Sequence, residues 1–71
     1  MPDAFGDRWN KYHLTAKQRD VLLLIVEGYK TTEIAYKLER PLIQVEQLRR
    51  SLFDKLGVSS LPEMILKARG E

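Results

Sequence analysis

Glu46, Gln47 and Arg50 stand close together in the stretch from Thr32 to Val58, TEIAYKLERPLIQVEQLRRSLFDKLGV. On a helix advancing about 100° per residue they share one side with Ile43 and Asp54, opposite a stripe centred on Val45. Their chemistry suits the edges of base pairs. Gln pairs with adenine through two hydrogen bonds, Arg pairs with guanine, and a carboxylate accepts from the cytosine amino group, each good pair giving ~1–3 kcal/mol of discrimination. Ile43 lacks polar atoms, so on that face it either contacts a thymine methyl or marks a surface turned toward protein. Arg49, nearer the buried edge, suits a phosphate or an internal ion pair. Lys30, Thr31 and Thr32 open the preceding helix, where backbone amides and the helix dipole favour an anion. A capping role for the threonines is the plainer alternative.

These side chains need two helices and a turn to hold them. Ile34, Ala35 and Leu38 recur at the spacing of one buried face, and the Thr31-Thr32 pair is suited to cap that first turn. Glu39-Arg40-Pro41 ends the helix, because Pro41 has no amide hydrogen and pushes Arg40 toward an extended backbone. Val45, Leu48, Leu52 and Leu56 then form the inner stripe of a helix over 42–56, and Gly57 stops it in a left-handed conformation. The result is a helix-turn-helix shape, whose second helix fits a DNA major groove. The shape also serves packing alone in many small helical domains.

Two more helices frame this pair. Thr15 caps the first, with Gln18 completing a capping box; Val21, Leu22, Leu24 and Ile25 supply its core face, and Gly28 ends it. Leu23 and Val26 point elsewhere, leaving an apolar patch for the N-terminal aromatics, which we favour, or for a second protein. The last helix starts at Ser60, with Glu63 closing a capping box and Pro62 tolerated in the first turn. Leu61, Met64, Ile65 and Ala68 line one side of it, and Leu66 lies on the far side. Ahead of all four, Phe5, Trp9 and Tyr12 recur at helical spacing, although Gly6 opposes a stable helix. They either fold back to enlarge a small core, the favoured reading, or serve as a linker or dimer contact. His13 has no partner at ligand spacing and reads as a surface residue.

Length and composition narrow the function classes. A chain of 71 residues makes one domain, too short for a deep catalytic cleft, and its 44% apolar content is that of a globular protein. There is no cysteine, hence no disulfide or thiolate metal site. The longest apolar run, Val21 to Val26, is too short to span a bilayer, and no secretory signal is evident, so a cytoplasmic protein without membrane contact is expected. No Gly-rich phosphate loop, metal-ligand cluster or activated nucleophile is recognisable, so neither enzyme activity nor a cofactor is expected. A net charge of +2 permits nucleic-acid binding without requiring it.

The order and spacing of Leu14-Thr15, Val21-Leu22, Leu24-Ile25, Glu27-Gly28, Glu33-Ile34-Ala35, Leu38, Val45, Leu52 and Lys55-Leu56-Gly57-Val58 resemble the LuxR-type (GerE-like) DNA-binding domain of bacterial regulators. Gln44-Val45-Glu46, Ile34-Ala35-Tyr36 and Ser60-Leu61-Pro62-Glu63 look closest to its FixJ-like branch of response regulators. The resemblance implies an all-α, compact four-helix helix-turn-helix domain over 14–71, preceded by an aromatic arm or short extra helix over 1–13. It implies a transcriptional regulator, or the DNA-binding part of one, acting on double-stranded DNA. Base contacts would then fall to Ile43, Glu46, Gln47 and Arg50, and phosphate contacts to Lys30, Thr31, Thr32, Gln44 and Arg49. Two copies would meet through Met64, Ile65, Leu66 and Ala68, with RNA polymerase or another protein as a further partner. Pro41, Ile43, Gln44 and Leu48 depart from the family, which has a capping Ser, a basic residue, Thr and His at those places. A divergent helix-turn-helix domain that binds protein through the Ile43 face is therefore the alternative.

Overall fold

The computed structural model describes residues 9–70. A single 3-10 turn, Asn10–Tyr12, leads into four helices: α1 (Ala16–Val26), α2 (Thr31–Leu38), α3 (Leu42–Leu56) and α4 (Leu61–Ala68). No strand occurs among the described residues. The long helices α1 and α3 form the central pair, and each also packs on α2 and on α4.

One core holds all four helices: Val21, Leu22 and Ile25 from α1, Ile34 and Ala35 from α2, Val45, Leu52 and Leu56 from α3, Met64 and Ala68 from α4. These are the positions that helical periodicity selects, with two adjustments. Leu24, Leu38, Leu48 and Ile65 are only half-buried, and Leu61, which the same periodicity places beside Met64, is exposed. Leu23 and Val26 lie half-buried against the core and present no bare patch.

Trp9 completes that core. It is 1% exposed, and its indole Nε1–H donates to the Ala68 carbonyl at 2.7 Å, across 59 residues of chain. Tyr12 packs beside it, half-buried. The fold-back reading of the aromatics therefore holds for Trp9 and Tyr12, while Phe5 lies outside the described residues. Trp9 and Tyr12 thus join the core of the four helices.

Three helices end in the same way. At α1 the Gly28 amide donates to Ile25 and the Tyr29 amide to Leu24; at α3 the Gly57 amide donates to Asp54 and the Val58 amide to Phe53. Both glycines have positive φ, 98° and 68°, as this doubly bonded C-terminal cap requires. At α2 the same pair of bonds runs from Glu39 to Tyr36 and from Arg40 to Ala35, but the left-handed position is filled by Glu39 at φ 54°.

The helix starts follow the sequence less evenly. Thr15 and Gln18 make the full reciprocal box, at 3.2 and 2.9 Å. At α4 the Ser60 hydroxyl accepts from the Glu63 amide at 3.3 Å, but the Glu63 carboxylate passes over Ser60's own amide. It accepts instead from the Ser59 hydroxyl at 2.9 Å, the Ser60 hydroxyl at 3.2 Å and the Ser59 amide at 3.4 Å. At α2 the expectation of a threonine cap fails: Lys30 occupies the cap position, Thr31 and Thr32 are already helical, and no side chain caps from that position.

Candidate nucleic-acid interface

α3 separates two environments along its length. Val45, Leu52 and Leu56 are fully buried, which fixes the rotation of the helix about its axis. Ile43, Glu46, Gln47 and Arg50 consequently all face solvent. None of the four side chains makes a hydrogen bond or ion pair with another described residue. Together with Arg49 and Phe53 they line a shallow open depression of about 360 Å³. Ile43 is 62% exposed, an apolar side chain among the polar ones of that face.

Arg49 has a different setting. It is half-buried, and its guanidinium carbon lies 5.0 Å from the centre of the Phe53 ring, one turn further along the helix. The ring and the buried stem hold that charge at the rim of the depression without neutralising it. Gln44 is half-buried in the first turn.

The start of α3 carries a feature that side-chain reasoning passes over. Pro41 is its cap residue and offers no side-chain acceptor. Gln44 and Val45 send their amides back to the Pro41 carbonyl, at 3.0 and 3.2 Å. The amides of Leu42 and Ile43 are left without a side-chain cap, on the end of the helix where the dipole is positive. The signal in the sequence was the proline itself, which cannot cap.

The α2 terminus is less open to an anion than its sequence suggests. Lys30 and Thr32 are exposed and Thr31 is half-buried, but the Glu33 carboxylate accepts from the Lys30 amide at 2.8 Å. A negative charge thus already sits at the amide end of α2. The neighbouring Lys37 sits over the Tyr29 ring, 4.6 Å from its centre.

On α4, Met64 and Ala68 are both 0% exposed, so their side chains have no surface to offer a second copy. Of the four residues expected to pair, only Leu66, 50% exposed, and the half-buried Ile65 reach the surface. The reason is the apolar stripe of α4: its innermost positions fill the domain's own core, leaving only its flanks to solvent.

Four helices, a tight turn between α2 and α3 and an outward polar face on α3 describe a helix-turn-helix domain. The pattern of the bacterial regulatory proteins of the luxR family matches residues 12–68. The chain belongs to that family. Relatives include the transcriptional regulatory protein RcsB of Escherichia coli (strain K12), of Salmonella typhimurium and of Shigella flexneri, each 38% identical over 57 residues, or 80% of this chain and 24% of the relative. The chain thus spans about a quarter of the length of the curated relatives it matches. No solved structure gives a significant match. The LuxR-family segment starts after Trp9, yet Trp9 bonds to Ala68, where that segment ends. Among the described residues no helix is long and apolar enough to cross a membrane, and no three or more His, Asp or Glu side chains form a group able to hold a metal ion.

Proposed function

We propose that the domain binds duplex DNA with α3 in the major groove, as the DNA-reading part of a transcriptional regulator. The observation that carries this reading is the outward set Ile43, Glu46, Gln47 and Arg50, exposed together and free of partners while the opposite stripe of α3 is locked in the core. Fixed rotation and a short stem make such a face able to reach base edges. Arg50 and Gln47 are the readers of guanine and adenine, and Glu46 accepts from a cytosine amino group while repelling nearby phosphates. Arg49 at the rim, Gln44 and the uncapped amides of Leu42 and Ile43 meet the backbone phosphates, which supply most of the affinity. Lys30, Thr31 and Thr32 contribute a weaker phosphate contact, because Glu33 competes for the α2 terminus. Two copies pair through Leu66, Ile65 and Leu61 and read half-sites about one helical turn apart.

The exposed Ile43, with Leu42 at 41% and Tyr36 at 85% exposure nearby in sequence, favours a second reading in which the same surface binds a protein. Selection of random duplexes by the purified chain at two salt concentrations, followed by sequencing, separates the two. Recovery of a palindromic motif with salt-sensitive affinity is expected. Arg50→Ala should then lose discrimination at one base pair, by about 1–3 kcal/mol, and Arg49→Ala should weaken all sequences evenly. A folded chain that enriches no motif would sink the DNA reading.

A further inference from the structure

We infer that Ile43 is a specificity residue that reads the 5-methyl group of a pyrimidine in the major groove; this rests on the groove placement proposed above. Ile43 is the second residue of α3, where recognition helices approach base edges most closely. It lines the depression that holds Glu46, Gln47 and Arg50, whereas its neighbour Leu42 does not. A side chain without donor or acceptor cannot distinguish base edges by hydrogen bonds. The one apolar group that bases present in that groove is the methyl at pyrimidine C5. A polar edge placed against Ile43 would lose water and gain nothing in exchange.

Two properties of the residue favour this use. Its branched Cβ leaves essentially one side-chain rotamer on a helix, so little freedom is lost when it is pressed against a base. Its 62% exposure also leaves most of its apolar surface available for burial. Both thymine and 5-methylcytosine carry the methyl. Glu46, three residues on, sits beside Ile43 on the same face and would accept the amino hydrogen of the cytosine form alone.

The test uses the full chain and the duplex enriched by selection. Each thymine is replaced in turn by deoxyuridine, which lacks only the methyl, and each cytosine in turn by 5-methylcytosine. Affinities are measured by fluorescence anisotropy for the parent, Ile43→Ala and Ile43→Val, with thermal melts to establish that all three fold. One thymine per half-site should be sensitive, the parent and Ile43→Val weakening about fourfold with deoxyuridine, the effect of burying one carbon, while Ile43→Ala does not change. If the methyl comes from 5-methylcytosine, one cytosine position should instead tighten about fourfold on methylation, again only while Ile43 or valine is present. Specific binding that is indifferent to every methyl, or a methyl effect that survives in Ile43→Ala, overturns the inference and leaves the DNA reading standing. Failure of the parent to bind any selected duplex overturns both.

Discussion

The turns at the two ends of α3 use the same hydrogen-bond motif and opposite residue choices. After α3, Gly57 takes the left-handed position at no steric cost, and the flanking pair Phe53 and Val58 supplies partly buried apolar side chains of the kind that accompanies the motif. Before α3, Glu39 is forced into that position, and Ala35 and Arg40 stand where the apolar pair would be. A left-handed residue with a Cβ costs roughly 1–2 kcal/mol. The turn leading to the candidate interface is therefore made against local preference. It persists because Ile34 and Ala35 on one side and Val45 on the other are pinned in the core. One turn is held by its own residues, and the other by the packing around it.

The largest test removes the packing. Trp9 is among the biggest fully buried side chains and ties the chain start to the last turn of α4. Trp9→Ala should cost about 3–5 kcal/mol, enough to unfold most of so small a domain, whereas Trp9→Phe should lose less, chiefly the bond to Ala68. Urea titration followed by circular dichroism measures both. Parental stability in Trp9→Ala would place Trp9 outside the cooperative unit.

The direct comparison exchanges the two residue types. Gly57→Ala meets no atom within 4 Å of the new Cβ, so its cost is the left-handed backbone less the unfolded-chain freedom that glycine gives up, about 0.5–1 kcal/mol. Glu39→Gly should move the other way, gaining about 0.5–1 kcal/mol once the greater freedom of glycine in the unfolded chain is subtracted. Thermal denaturation of the two variants should therefore shift in opposite directions. Equal and parallel shifts would mean that the two turns do not differ in the way described.

The smallest effect belongs to Glu63, whose carboxylate bonds Ser59 just past the Gly57 turn. The Ser59 hydroxyl, the Ser59 amide and the Ser60 hydroxyl hold its carboxyl below the ordinary glutamate range, with Lys67 adding a minor attraction. A carboxylate lowered by folding stabilises the fold above its unfolded pKa, and that contribution disappears as pH falls through the lowered value. Glu63→Gln should accordingly melt slightly below the parent at neutral pH, and the gap should close in acid. A gap that stays constant with pH would assign the effect to side-chain shape instead of charge.

Much of this molecule is readable without coordinates, for identifiable reasons. Thr15 with Gln18, Gly28 and Gly57 declare helix ends through chemistry confined to a few neighbouring residues. The alternation of Val45, Leu52 and Leu56 with Ile43, Glu46, Gln47 and Arg50 fixes which side of α3 meets water, because helical geometry makes spacing equivalent to direction. The misses have two causes. Glu33 capping the Lys30 amide, and Glu63 taking the Ser59 amide in place of Ser60's, are choices among near-equal local options, whereas Glu39 in a left-handed conformation is imposed on the turn by the packing around it.

What sequence determined by itself was therefore the set of helices, their ends at the glycines and the outward face of α3, all consequences of short-range stereochemistry and periodicity. Tertiary structure decided the rest. It drew Met64 and Ala68 inward and left Leu66 outside, seated Trp9 beneath Ala68, and held Glu39 in a left-handed conformation at the turn. Each of these depends on which surfaces meet when four helices share one core, and burial summed over distant residues outweighs the preference of any single one.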